Sequence, residues 1–329
     1  MSSPVLLRAP MMPLARRVRA YFAPVNRVTE AAAIFDPALH GAFALASPPA
    51  PWLDLGWIDN FRRVSATQSE VVSAGAHGAP AAVYRGPLGA EVSFNFREWG
   101  KLQMALACGS EQMNALATDV NAAPQPSGGT PKLATAMLTG STVQELQVGA
   151  GAVTGFAVGD LVAVDLDYQQ QVGYVGSGIA AAYVRDANDV QHDVDYVRRV
   201  TFNVGRVAQI TATSLILAQA LLGGAPAAGT AIQKVTAFVD REGGAFLQEW
   251  SALFLLEEES AGRICFYYPR LMPHRKGSAA AEANLAVAAG LDAIALAASF
   301  AALPSTDVHD GQPILCYRSY FPAAAAALY

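Results

Sequence analysis

Short runs of alternating or β-branched residues, separated by glycines, constrain the fold of this chain more than any other feature. In residues 91–96 the three apolar side chains fall on one side of an extended chain and the polar ones on the other, which is the pattern of a half-buried strand. Between residues 138 and 235, short β-branched runs alternate with glycines, as in residues 159–164. Short strands with regular turn signals are typical of a small barrel or sandwich. The sequence therefore predicts a mainly β protein.

One helix is predicted beside these strands. Residues 97–108 place Trp99, Leu102 and Leu106 on one helical stripe, and Gly109 follows as a C-terminal cap. The strand at residues 91–96 therefore runs directly into a short amphipathic helix, which we expect to flank the β-structure.

A hairpin and a last strand are predicted near the C-terminus. Residues 246–256 and 263–268 are strand-like, and they flank the acidic run Glu257, Glu258 and Glu259 and a short stretch that ends at Gly262. Two strands around a short, glycine-ended loop are typical of a hairpin. Residues 313–321 form the last predicted strand.

The pattern of the sequence changes near residue 138, and long strand-like runs return after Val235. The simplest organisation is one β-domain built from both ends of the chain and interrupted by an insert. The predicted parts are an N-terminal arm at 1–20, a discontinuous β-domain at 21–137 and 236–322, an inserted β-rich domain at 138–235 and a low-complexity tail at 323–329.

Charge narrows the class of protein. Charged residues make up 15% of the chain and hydrophobic residues 53%, whereas about 25% charged is usual. Either part of the surface is buried against other subunits, or the alanine-rich composition reflects a GC-rich genome. The net charge of −5 argues against a dedicated nucleic-acid binder. Five arginines precede the first acidic residue, Glu30, so a +5 segment precedes a body of −10.

The sequence contains no strong catalytic or metal-binding motif. It lacks a P-loop, a His-Glu-x-x-His motif and a Cys-x-x-Cys motif. Residues 186–195 are rich in oxygen ligands but lack the glycine and the closing glutamate of a calcium-binding loop, so a solvated loop is the simpler interpretation. Cys108, Cys265 and Cys316 lie in apolar sequence, which favours buried thiols. We therefore expect no enzyme activity, no cofactor and no metal.

Several segments resemble the phage tail tube (major tail) protein family. The segment at residues 92–109, Val-Ser-Phe-Asn-Phe-Arg-Glu-Trp-Gly-Lys-Leu-Gln-Met-Ala-Leu-Ala-Cys-Gly, is similar to the strand-then-helix segment of those proteins. The C-terminal part is also similar, at residues 243–255, 262–270, 298–303, 310–311 and 317–320. The resemblance covers roughly residues 64–109 and 235–322, and the insert has no counterpart in it.

The resemblance implies a tail-tube-like β-sandwich or barrel with a flanking helix. It also implies that six copies form a ring, and that rings stack head to tail into a tube whose lumen passes DNA without specific binding. The partners would be further copies of the chain and other tail proteins (terminator, baseplate or tip, tape measure), with no membrane partner. The location would be the virion tail, after assembly in the host cytoplasm.

Two sets of residues become candidates under this interpretation. A net-negative lumen would let DNA slide, which makes Glu257, Glu258 and Glu259 lumen-facing candidates. An Arg-rich arm would meet an acidic face of the next ring, and its candidates are Arg8, Arg16, Arg17 and Arg19.

Other functions stay open at this point. The chain could be another phage ring or baseplate component, or the tube of a phage-derived injection system. It could also be a soluble β-module whose central barrel binds a carbohydrate or a peptide. A tube protein should assemble into fibres, whereas a binding module should stay monomeric.

Overall fold

The fold is described from a computed structural model, which covers residues 15–26, 29–40, 43–45, 48–49, 51–74, 79–97, 103, 106–107, 109, 111–116, 135–165, 172–173, 182–184, 203–221, 224–241, 248–258, 262–274 and 296–321. The protein is mainly β, as predicted. It divides into two compact units, and the second spans Gly109–Leu247 together with Arg27–Thr29. The first unit comprises the segments on either side of that insert.

Within its described residues, the first unit contains a short helix, α1 (Pro37–His40), and nine strands. The strands are β1 (Ala15–Pro24), β2 (Leu53–Ala74), β3 (Ala79–Phe96), β13 (Trp250–Glu258), β14 (Arg263–Pro273), β15 (Leu296–Ala302), β16 (Ser305–Thr306), β17 (Pro313–Ile314) and β18 (Tyr317–Phe321). The second unit contributes β4 (Glu111–Leu116), β5 (Thr135–Ala136), β6 (Glu145–Gln147), β7 (Leu161–Asp165), β8 (Val172–Gly173), β9 (Ala182–Val184), β10 (Val204–Ile210), β11 (Ser214–Leu217) and β12 (Ala231–Arg241), with a 3₁₀ turn at Val153–Gly155.

Six antiparallel strands of the first unit close into a barrel in the order β13-β1-β2-β3-β15-β14, because β14 pairs back with β13. The strand β18 adds to β14 through residues 263–267, while β15 pairs with β14 through residues 271–273. The predicted hairpin around the acidic run is confirmed as β13 and β14. The predicted last strand is split into β17 and β18.

The barrel interior is filled by aromatic rings from five of its strands. Because side chains alternate along a strand, every second residue points inward. The inward-facing aromatic residues that are fully buried are Phe22, Phe94, Phe96, Phe254, Tyr268 and Phe300. Neighbouring rings lie about 5 to 6 Å apart in edge-to-face and stacked arrangements, the geometry that aromatic pairs prefer.

A strap formed by residues 30–40 and 43–45 covers part of the outer face of the barrel. The hydroxyl of Tyr267 donates to the carbonyl of Ala33 at 2.7 Å, and the hydroxyl of Tyr21 donates to the carbonyl of Leu45 at 2.8 Å. Phe35 and Phe43 pack beneath the strap in a second apolar cluster. Where the strap covers it, the wall formed by β1, β13 and β14 is thus apolar on both of its faces.

The second unit is built on a curved half-barrel sheet. Its strand order is β6-β11-β10-β7-β12-β4-β9-β8, and β5 also pairs with β12. The core is aliphatic and includes Leu146, Val162, Leu215 and Leu217, all fully buried. Three of the short strands predicted in this part of the chain correspond to β7, β10 and β11.

The structure differs from the predicted domain boundaries at three places. The second unit begins at Gly109 and ends at Leu247, not at 138 and 235, because β4 pairs along the second half of β12. The arm predicted over residues 1–20 overlaps β1, since Ala15–Pro24 is a barrel strand between β13 and β2. Residues 1–14 and the tail at 323–329 lie outside the described residues.

The predicted flanking helix falls mostly outside the described residues. Within residues 97–108, Gln103, Leu106 and Ala107 are helical, and Leu106 and Ala107 are buried. Leu106 belongs to the predicted apolar stripe.

Candidate assembly surface

A long two-stranded ribbon extends from the barrel. The strand β2 pairs with β1 only up to Ile58, and β3 pairs with β15 only from Glu91 onward. Among the described residues, the strand pairing of residues 64–74 and 79–90 is therefore confined to β2 and β3. We call these two segments the ribbon, and at the usual rise of a strand it is about 40 Å long.

The ribbon has no buried face of its own. Apart from Ala90, every ribbon residue whose burial is described is exposed. Val71 and Val83 are cross-strand partners on one face and are 54% and 57% exposed. Tyr84 points to the opposite face and is 65% exposed. Large apolar side chains thus lie in solvent on both faces.

Such a ribbon is unusual on a protein that stays alone. A two-stranded hairpin is only marginally stable in water, and open strand edges recruit other strands unless they carry charges or prolines. The ribbon contains two charged residues, Glu70 and Arg85. Its surface is therefore suited to burial against a partner, which would supply the missing contacts.

The predicted lumen-facing acids do not form a free acidic patch. Glu257 forms an ion pair with Arg17 at 2.6 Å, and its side chain is 18% exposed. Glu258 points to the inner face of β13 and is 6% exposed, because neighbouring residues on a strand face opposite sides. Glu259 lies outside the described residues. This placement removes Glu258 from the set of surface charges.

The predicted arm arginines are barrel residues wherever their side chains are described. Arg17 pairs with Glu257, and Arg19 forms an ion pair with Asp54. Both guanidinium groups lie over the ring of Trp57, at 4.3 and 5.1 Å from its centre, a cation–π arrangement. The arginines thus link β13, β1 and β2 on the outer wall. Arg8 lies outside the described residues, and Arg16 is placed in β1 by its backbone alone.

The described thiols have the properties of packing groups. Cys265 is buried on the outer face of β14, and burial raises its pKa to about 12. Burial also raises the pKa of Cys316, against the opposing effects of a hydrogen bond with Tyr268 and of the charge on Arg63. Because the thiolate is the nucleophilic form, neither environment activates the sulfur. Cys108 lies outside the described residues.

The oxygen-rich run at residues 186–195 also lies outside the described part of the chain. Within the part that is described, no group of three or more His, Cys, Asp or Glu side chains is arranged to hold a metal ion. No helix among the described residues is long and apolar enough to cross a membrane.

Sequence reasoning missed the ribbon. Its strands do not alternate between polar and apolar residues, because neither face packs on a core. The available signal was the glycine pair Gly75 and Gly78, which brackets the segment between β2 and β3. A turn there, followed by the β-branched and aromatic residues of β3, would have indicated a hairpin.

Comparison with known proteins gave no relative on which to base a function: no protein-family model matches the chain, and no curated protein matches it.

Proposed function

We propose that the chain is a structural protein that assembles with copies of itself into the stacked rings of a phage tail tube. The observation that carries this proposal is the ribbon, which exposes apolar side chains on both faces and presents open strand edges. Burial of apolar surface contributes roughly 25 cal/mol per Å², so covering a ribbon of this size is a substantial driving force for association.

The barrel supports the same proposal as a rigid base for the ribbon. Its core is filled by packed aromatic rings, and its outer wall is tied by the Arg17–Glu257 and Arg19–Asp54 ion pairs. A rigid base fixes the direction in which the ribbon leaves the barrel. Identical copies with a fixed geometry and two different contact surfaces form rings or open filaments.

Low charge is consistent with this assembly. Only 15% of residues are charged, and surface that is buried between subunits needs few charges. The tube would lie in the virion tail and conduct DNA without binding it specifically, with other tail proteins at its ends. Glu257 contributes little to a repulsive lumen, since Arg17 offsets its charge.

The proposal is tested by the mass of the assembled protein. A double variant, Val71→Ser with Val83→Ser, removes the apolar pair from one ribbon face and leaves the barrel core untouched. Light scattering after size-exclusion chromatography should show large assemblies for the wild type and mostly single chains for the variant.

A matched control is Val308→Ser. Val308 is 86% exposed in the turn between β16 and β17, away from the ribbon sequence. This variant should assemble as the wild type does. If the wild-type protein is a single chain at high concentration, the proposed function is wrong. If the ribbon variant assembles normally, the role given to the ribbon is wrong.

A further inference from the structure

The two edges of the ribbon differ in their ability to accept another strand. The β3 side contains Pro80 and Pro87, together with Gly86 and Gly89. Proline has no backbone N–H, so prolines within a sheet are confined to edges that do not pair further. The β2 side, residues 64–74, contains neither proline nor glycine. Its row of backbone donors and acceptors is uninterrupted.

A second open edge lies on the barrel itself. The strand β18 pairs with β14 through residues 263–267, and its other edge has no strand partner among the described residues. It is free of proline and glycine from Tyr317 to Phe321. The first unit therefore has two different proline-free open edges of at least five residues within its described part.

Symmetry decides how two such edges combine. If the β2 edge paired with the β2 edge of another copy, the two-fold contact would close on itself and end the assembly. A ring of identical copies needs two different surfaces on each copy. The edges of β2 and β18 meet this requirement.

We propose that the β2 edge of the ribbon, residues 64–74, pairs with the β18 edge of a second copy of this chain. Main-chain hydrogen bonds between the two edges would join the sheets of neighbouring copies, as in strand addition. This inference rests on the proposed function, and it specifies which surfaces meet. It leaves the β3 edge, with its prolines, without a strand partner.

Cysteine cross-linking tests the pairing. Ala66 and Ser319 lie on the outer face of the sheet: Ala66 is four residues from Arg62, which pairs with Ser93, and Ser319 pairs with Cys265. Directly opposed Cβ atoms lie about 5 Å apart, within reach of a disulfide after small adjustments. One preparation carries Ala66→Cys or Val64→Cys, another carries Ser319→Cys, and both have Cys108 and Cys316 replaced by serine.

The matched control is Gly89→Cys. Gly89 is the cross-strand partner of Ala66 on β3, so it shares the same face, and a Cβ there meets nothing closer than the Ala66 carbonyl oxygen at 3.8 Å. In the proposed pairing it lies one strand further from Ser319, roughly 10 Å away.

On mixing and mild oxidation, the Ala66→Cys or Val64→Cys preparation should form a disulfide-linked dimer with the Ser319→Cys preparation. The Gly89→Cys preparation, mixed with Ser319→Cys in the same way, should stay monomeric on a denaturing gel. Cross-linking of Gly89→Cys instead would show that β3 accepts the strand and would overturn the inference. Assemblies without any of these cross-links would refute the pairing and leave the proposed function standing. If microscopy shows no assembly, both are wrong.

Discussion

The substitution Phe22→Ala tests whether β1 is a structural strand of the barrel. Phe22 is fully buried, and its ring centre lies 5.3 Å from that of Phe300 and 5.8 Å from that of Phe254. The rings of Phe94 and Trp250 are each 6.3 Å away. Truncating such a residue removes the aromatic contacts of the core and leaves a cavity among side chains that cannot collapse fully.

The expected loss is large compared with the stability of a protein. Phe→Ala substitutions in a core cost about 3–5 kcal/mol, and edge-to-face ring contacts add to the cost of lost burial. The whole free energy of unfolding is typically about 5–15 kcal/mol. We therefore expect Phe22→Ala to remove about 4 kcal/mol, which leaves the first unit marginal or unfolded at room temperature.

Urea unfolding followed by tryptophan fluorescence measures this loss. Trp250 is a suitable reporter because it is buried beside Phe22. The control Leu39→Ala removes an apolar side chain that is 79% exposed in α1, outside the ribbon, and it should change the free energy of unfolding by less than about 0.5 kcal/mol. A loss below about 1 kcal/mol for Phe22→Ala would refute the placement of β1 in the core.

Two further predictions concern pH and backbone packing. Burial raises the pKa of Cys265 from 9.0 to about 12. As pH rises, the thiol therefore loses its proton at a lower pH in the unfolded chain than in the folded one. The free energy of unfolding should fall as pH rises from about 9 toward 12, by at most about 1.4 kcal/mol per pH unit for this group. The urea midpoint of unfolding should therefore fall less steeply with pH for Cys265→Ala than for the wild type. Equal pH slopes for the two proteins would contradict the burial of the thiol. Gly205→Ala should destabilise the second unit by about 1–3 kcal/mol, because the new Cβ would lie 2.7 Å from a methyl carbon of the fully buried Leu217. Gly155→Ala, with no atom within 4 Å of the new Cβ, should be nearly neutral in the same thermal unfolding assay.

The sequence was sufficient to predict strands that have one buried face. The alternation at residues 91–96 matches the part of β3 that pairs with β15, because burial on one side imposes a period of two on the side chains. The strand β11 was predictable from its apolar run instead, since it is buried or half-buried on both faces. The hairpin of β13 and β14 was predictable for another reason, since a short acidic run and Gly262 separate two apolar runs in the sequence.

Features that depend on pairing over long distances were not predictable. Arg17 and Arg19 are part of a +5 segment that looks like an arm. Only the pairing of β1 with β13, more than 220 positions away, shows that they belong to a barrel wall. The start of the second unit was placed too late because nothing near Glu111 indicates its pairing with Arg241. The ribbon escaped prediction because a segment exposed on both faces has no imposed period.

Negative-stain electron microscopy of the purified wild-type protein at high concentration shows directly whether the chain assembles into a tube. We expect rings and long hollow fibres of uniform width, built from the barrel units through their ribbons. Compact, separate particles of the size of one chain, under conditions in which the protein is folded, would show that the chain does not form a tube.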